Sequence, residues 1–106
     1  TFEDFSKMDI RVGTILEAEK MPKTKKLLVL KVDTGIDVRT IVSGIAESFK
    51  PEDIVGQQVC LLVNLAPRKL RGVESQGMIL MTDTKDGKLA FLQPSTNSVA
   101  NGSQVS

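Results

Sequence analysis

Residues 27–43 read LLVLKVDTGIDVRTIVS, and this stretch decides the fold because it holds two short apolar runs separated by one turn. The runs cover residues 27–32 and 38–43, and both are rich in branched side chains. Runs of about six residues suit strands better than helices, which usually need ten or more. Asp33-Thr34-Gly35 between them has the residue types of a tight turn. The stretch therefore predicts two consecutive β-strands.

The same pattern continues on both sides of these two strands. Upstream, residues 10–16 begin with a clean alternation of apolar and polar side chains, and Gly13 within them indicates a bulge or a bend. Downstream, a fourth strand is predicted from Gln58 to Val63, and a fifth begins near Met78. Asp86-Gly87 is a hairpin turn signal that precedes a short strand over residues 88–92.

One short helix is predicted between the third and fourth strands. Pro51 followed by Glu52 and Asp53 is a favourable helix start, and Gly56 is a plausible end. Five strands with a helix in this position give an all-β protein with the element order of an OB-fold barrel. We expect a single domain over residues 1–106, with a barrel core over about residues 8–82 and a C-terminal extension over residues 83–106.

The composition argues against catalysis. The chain has 106 residues, no histidine and one cysteine, which removes the usual general base and the common zinc ligand sets. We expect no catalytic residues, no metal and no cofactor, and no small-molecule substrate. No apolar stretch is long enough for a bilayer and none resembles a signal peptide, so a cytoplasmic location with no membrane partner is the expectation. Cys60 lies in an apolar run and is predicted to be a buried core thiol.

The net charge of +1 hides two basic clusters. Residues 20–31 carry five lysines and no acid, and residues 64–81 carry three basic residues and one acid. The clusters fall in the loops between strands one and two and between strands four and five, where OB-folds usually meet their ligands. Lysines are mostly solvated in any protein, but this coincidence favours a binding site for a polyanion.

The aromatic content narrows the choice of polyanion. OB-folds that bind single strands stack bases on aromatic rings. This chain has no Trp, no Tyr and four Phe, none of them in a basic loop. Contacts to phosphate and ribose across a folded RNA are therefore the better prediction.

Four motifs in order resemble the tRNA-binding domain family. They are residues 9–13 (DIRVG), residues 26–35 (KLLVLKVDTG), residues 41–46 (IVSGIA) and residues 64–78 (NLAPRKLRGVESQGM). The resemblance covers the chain from about Phe2 to its end, and is greatest to the C-terminal domain of bacterial methionyl-tRNA synthetase. It implies an OB-fold homodimer that binds folded tRNA by shape and phosphate contacts. Appended to a synthetase, such a module is expected to raise the affinity for tRNA.

The predicted RNA-binding residues come from the two loops and the strands beside them. Ser75 and Met78 enter through the resemblance, and the basic residues through their position. The set is Lys23, Lys25, Lys26, Lys31, Arg68, Lys69, Arg71, Ser75 and Met78. By resemblance, the segment after the fifth strand, roughly Leu89 to Pro94 and the tail through Gly102, would help build the dimer.

Some polar residues are predicted to have structural roles rather than RNA contacts. Arg11 and Arg39 are expected to pair with nearby acids, and Asn64 to satisfy loop backbone groups. Many family members have His-Pro where this chain has Met21-Pro22, so the pose of that loop is left open. Two alternatives to RNA binding remain, an export-type chaperone and a pure dimerisation domain on the same fold.

Overall fold

A computed structural model describes residues 1–96 and 98–105 of the chain. Within these residues, two short helices and nine strands follow one another. They are α1 (Phe2–Ser6), β1 (Ile10–Lys20), β2 (Leu28–Asp33), β3 (Val38–Ser43), α2 (Pro51–Ile54), β4 (Gln58–Leu62), β5 (Arg68–Leu70), β6 (Val73–Ser75), β7 (Met78–Ile79), β8 (Met81–Asp83) and β9 (Leu89–Phe91).

Five strands form one antiparallel sheet in the order β3-β2-β1-β4-β7. The sheet curls until β3 approaches β6 and β7, which gives a nearly closed barrel. Helix α2 lies between β3 and β4, as the sequence predicts. The prediction of an all-β OB-fold barrel is confirmed.

Strand β1 is long enough to serve two neighbours because it bends. Its first half pairs with β4 and its second half with β2. The expected bulge is found, but at Leu16, where the register shifts between Ile15 and Glu17. Gly13 instead allows close packing, since a Cβ there would lie 2.9 Å from the carbonyl oxygen of Asp33.

Side chains complete the barrel where the strand ladder is thin. The Gln76 N–H donates to the Thr40 carbonyl, and the Thr40 N–H donates to Gln76 Oε1, each over 2.9 Å. Two residues along β3, the Val42 N–H donates to the Ser75 hydroxyl over 3.0 Å. Arg39 Nη1 donates to the carbonyls of Val63 and Gln76. These bonds join β3 to the end of β6, to Gln76 beyond it and to Val63 after β4.

The core follows the alternation in the strands. The largest fully buried apolar side chains are Ile15, Leu28, Leu30, Ile41, Ile45, Ile54 and Leu61. Phe49 and Phe91 pack against this core and stack on each other with ring centroids 4.5 Å apart. The prediction that Cys60 is a buried core thiol is wrong. Cys60 is only partly buried, because its side chain points to the opposite face of β4 from the core residues on either side. Burial nevertheless raises the pKa of its thiol.

The C-terminal segment folds back onto the barrel. The strand over residues 88–92 is confirmed as β9, which pairs with β8 across a turn where Gly87 has a φ of 82°. Farther on, the Val12 N–H donates to the Ser103 carbonyl and the Val105 N–H to the Ile10 carbonyl. This tail therefore occupies part of the β1 edge that β2 leaves uncovered. No helix in the described ranges is long and apolar enough to cross a membrane.

Candidate nucleic-acid interface

The loop between β1 and β2 is a tight, defined structure. The Met21 N–H donates to the Leu27 carbonyl over 3.1 Å and closes the loop at its base. The Thr24 N–H and hydroxyl both donate to the Met21 carbonyl. Pro22 followed by Lys23 with a φ of 65° is the pattern of a type II turn. This turn projects Lys23 away from the barrel, where it is exposed.

The pose of the loop at Met21, left open by the sequence, is set by burial of this residue. Its side chain is 4% exposed, so it belongs to the core rather than to the loop surface. The C-terminal end of the loop is also held by the Ala46 N–H, which donates to the Lys26 carbonyl over 3.0 Å. The loop is thus anchored by backbone hydrogen bonds, and its three lysines are exposed, as is Pro22.

The second basic cluster lies on a small hairpin that the sequence pattern did not predict. Strands β5 and β6 pair in the register Arg68↔Ser75, Lys69↔Glu74 and Leu70↔Val73. Two residues make the turn, with a φ of 52° at Arg71 and 83° at Gly72. Two positive values in succession are typical of the type I′ turn, which matches the twist of short hairpins.

The two basic loops meet, and their meeting forms what we call the basic groove. It has a volume of about 390 Å³, and Arg71 at the hairpin tip joins residues of the β1–β2 loop in its walls. Its lining is Lys23, Thr24, Lys25, Lys26, Leu27 and Arg71. Four predicted RNA-binding residues are therefore brought together on one surface.

The groove keeps its positive charge uncompensated by close acids. Within residues 1–96 and 98–105, the three ion pairs join the N-terminus to Asp4, Arg11 to Asp9 and Arg39 to Asp37. None of them involves a groove side chain. A concave surface lined by one sign of charge concentrates its potential and attracts anions.

Two predicted basic residues lie in a less favourable setting. Lys69 is exposed but stands opposite Glu74 across the hairpin, so part of its charge is offset. Lys31 is on β2, where it pairs with Glu17 on β1 and its Nζ donates to the Thr40 hydroxyl over 2.6 Å. Neither residue lines the basic groove.

Arg68, Ser75 and Met78 border a second cavity, which we call the apolar groove. It has a volume of about 270 Å³, and residues of both hairpin strands line it. Met78 is 51% exposed there, whereas Ser75 is only 7% exposed. The Ser75 hydroxyl accepts from Val42 and donates to the Gly77 carbonyl, so the hydroxyl is engaged in closing the barrel.

Sequence reasoning missed the other walls of the apolar groove. They include Ser43, Gly44, Leu65 and Leu70, which come from three separate segments. They lie within the motifs at residues 41–46 and 64–78, but neither charge nor hydrophobic periodicity marks them as a binding surface. Only the barrel topology brings them together.

The structural readings of three polar residues are confirmed. Arg11 pairs with Asp9 at 2.9 Å, and Arg39 pairs with Asp37 at 3.2 Å. Asn64 accepts from the Asp9 N–H and donates to the Lys7 carbonyl, which ties the β4–β5 loop to the start of β1. Over the described ranges, no group of His, Cys, Asp or Glu side chains is arranged to hold a metal ion.

The fold belongs to the class of OB-like domains, because it is a nearly closed five-stranded barrel with a helix between β3 and β4. The two basic loops lie where domains of this class usually bind ligands. Comparison with known proteins gives the family. Residues 10–104 match the family described as "Putative tRNA binding domain". The chain belongs to this family, whose domain is a non-catalytic module.

Three relatives illustrate the range of the likeness. The chain is 73% identical to the methionine--tRNA ligase of Flavobacterium psychrophilum over 104 residues, which are 98% of the chain but only 15% of the ligase. A MetRS related protein from Pyrococcus horikoshii is 42% identical, with a TM-score of 0.91 over 99% of this chain and 95% of that one. The chaperone CsaA from Bacillus anthracis is 32% identical, with a TM-score of 0.88 over 100% and 97% of the two chains.

Proposed function

We propose that this chain is a cytoplasmic module that binds folded tRNA through the basic groove and its flanking hairpin. The observation that carries the proposal is the convergence of Lys23, Lys25 and Lys26 with Arg71 in one groove. Membership of the tRNA-binding domain family supports tRNA as the partner. Arg68 and Lys69 extend the contact along the hairpin, and Lys31 contributes at longer range.

The binding mode follows from the chemistry of these side chains. Lys and Arg reach phosphate oxygens without reading base edges, so affinity comes mainly from counterion release and sequence preference is weak. For about five neutralised phosphates, the logarithm of the binding constant falls against the logarithm of salt concentration with a slope of about −4. Recognition of a folded RNA shape needs no aromatic platform, and Phe49 and Phe91 are occupied by each other.

Fluorescence anisotropy of labelled tRNA tests this function. Folded tRNA should bind the chain in preference to a single-stranded RNA of equal length, with the steep salt dependence given above. Reversal of charge at Lys23, Lys25 and Lys26 to Glu should abolish binding. The matched control reverses three exposed lysines outside the grooves, Lys50, Lys85 and Lys88, and should retain most of it. Equal loss in both triple variants would contradict a defined site.

The role in a longer protein is a further part of the proposal. The chain spans about 15% of the methionine--tRNA ligase that it matches over almost its full length. Appended to such a ligase, the module raises the local concentration of tRNA at a separate catalytic core. Removing the module should therefore slow aminoacylation at low tRNA concentration. An unchanged rate under those conditions would refute the tethering role.

We also propose that the module acts as a homodimer. The support is the resemblance of its C-terminal segment to the part that builds dimers in the family. Sedimentation equilibrium over a range of concentrations measures the mass directly. The charge-reversed triple variant should keep the dimer while losing RNA, which separates the two properties.

A chaperone activity is the second candidate. The likeness to the chaperone CsaA and the presence of the apolar groove favour it. An apolar client would, however, gain nothing from the cations of the neighbouring basic groove. Suppression of client aggregation that tRNA does not compete with would support this candidate over RNA binding.

A further inference from the structure

We propose that the apolar groove receives one unstacked nucleobase of the bound RNA while the basic groove holds neighbouring phosphates. This inference rests on the proposed function and adds a base-contacting subsite to it. It concerns the cavity beside the β5–β6 hairpin, which phosphate binding alone leaves unused.

The walls of the apolar groove suit the flat face of a base. Met78 and Leu65 are large apolar residues that are 51% and 40% exposed, although both line a concave surface. Met makes favourable contacts between its sulfur and aromatic rings. Arg68 lies in the same wall, and its planar guanidinium can stack on a base as well as meet a phosphate.

Gly44 leaves open space at another wall of the groove. A Cβ built on Gly44 would have no atom within 4 Å, so a planar ring can approach the backbone there. The neighbouring Ser43 also lines the groove and carries a hydroxyl that can both donate and accept. A base edge would therefore meet a polar group while its faces meet apolar ones.

Neighbouring residues of the β5–β6 hairpin line the two grooves. Arg71 at the tip lines the basic groove, while Leu70 and Arg68 on the same strand line the apolar groove. A three-residue strand spans about 10 Å. An RNA segment with a phosphate at Arg71 therefore has only this short distance to cross before a base can enter the apolar groove.

Charge complementarity favours a nucleotide over an apolar peptide as the occupant. The cations flank the apolar groove on the side of the hairpin, and a chain that carries one phosphate per residue uses both surfaces. The cavity offers a single slot rather than a row of aromatic platforms, which fits one unpaired base of a folded RNA. A single strand that stacks successive bases would need several such slots.

Two variants and one control test the subsite by anisotropy across a salt series. Gly44→Val fills the groove, and the open space at Gly44 allows the folded barrel to accept it. Met78→Ala removes one wall. Met8→Ala is the control, because Met8 is 50% exposed but lies outside both grooves. We expect Gly44→Val and Met78→Ala to bind tRNA about tenfold more weakly at every salt concentration, with an unchanged slope, whereas Met8→Ala binds as the original chain does.

Arg71→Gln provides the contrast to these groove variants. Loss of one phosphate contact should lower the magnitude of the slope of log binding constant against log salt concentration by about 0.7–0.9. A second readout uses RNA with 2-aminopurine at unpaired positions, whose fluorescence changes when the base enters the groove. We expect one position to respond, and Gly44→Val to abolish that response.

The outcomes distinguish this inference from the function on which it rests. Absence of tRNA binding by the original chain at low salt would overturn both. Normal salt-dependent binding with no effect of Gly44→Val or Met78→Ala would overturn the base subsite alone. Loss of apolar peptide binding in Gly44→Val, with tRNA affinity unchanged, would assign the groove to a peptide and likewise overturn it.

Discussion

Lys23 and Arg71 line the same basic groove from two different loops, and both have a left-handed backbone, with φ of 65° and 52°. Within residues 1–96 and 98–105 they are the two non-glycine residues with positive φ. This conformation costs an ordinary L-residue about 1–2 kcal/mol. Strained backbone tends to persist where function requires the side chain. The coincidence of left-handed backbone and positive charge in the lining of one groove supports its role in binding.

Arg71→Asn should therefore stabilise the fold and weaken RNA binding at the same time. Asn followed by Gly72 is the preferred pair of a type I′ turn, so we expect a gain of about 1 kcal/mol in the free energy of unfolding, seen as a rise in Tm of about 4–8 °C. Tenfold weaker tRNA binding would accompany it. Arg68→Asn is the matched control, because Arg68 has no positive φ and its loss should bring weaker binding without stabilisation.

Removal of charge should matter more in the groove than on the strand. Lys26→Gln removes a cation that lines the basic groove. Lys31→Gln removes a cation that lies opposite Glu17 across the strands and donates a hydrogen bond to the Thr40 hydroxyl. We expect Lys26→Gln to weaken tRNA binding several times more than Lys31→Gln when both are titrated at the same low salt. Equal effects would mean that the RNA senses only net charge.

Ser75→Ala should reveal a structural role for a residue first considered as an RNA contact. Without the hydroxyl, the buried N–H of Val42 loses its acceptor, and an unsatisfied buried donor costs about 1–3 kcal/mol. Urea unfolding should show this loss, while tRNA affinity under native conditions stays within twofold. A large loss of affinity in a fully folded variant would assign Ser75 to the RNA surface instead.

The turn after β2 should make stability depend on pH. A hydrogen bond from the Thr34 hydroxyl, with Arg39 beside it, holds the pKa of Asp37 below its usual value. Its contribution is complete above the unfolded pKa of about 3.9 and is lost as pH falls through the lower folded value. The difference in unfolding free energy between the original chain and Asp37→Asn should shrink in that window. Urea titrations at a series of pH values measure it.

The sequence predicted the parts of the fold that repeat a local pattern. Strands β1 to β4 show runs of branched residues, and Pro51 with two acids marks α2. The β5–β6 hairpin escaped because its strands have three residues each and its turn is Arg71-Gly72 rather than Asn-Gly. The basic groove could be anticipated from charge at the two loops. The apolar groove could not, since residues near 43, 65 and 78 meet only after the barrel closes.

Gly35 and Asn101 show how the C-terminal tail is held, and two glycine variants can isolate that contact. Both Gly35 and Gly56 have a φ of 91°. A Cβ at Gly35 would lie 2.3 Å from the Asn101 carbonyl oxygen, whereas one at Gly56 would meet nothing within 4 Å. Gly56→Ala should therefore cost only the backbone strain of about 1–2 kcal/mol. Gly35→Ala should cost more, because it also displaces the tail from β1.

Hydrogen exchange at the amides of Val12 and Val105 should accelerate in Gly35→Ala and stay slow in Gly56→Ala, since both amides bond across this junction. Equal exchange in the two variants would show that the tail is held independently of Gly35. If the tail also supports the proposed dimer, sedimentation should find Gly35→Ala dissociating at concentrations where Gly56→Ala remains associated.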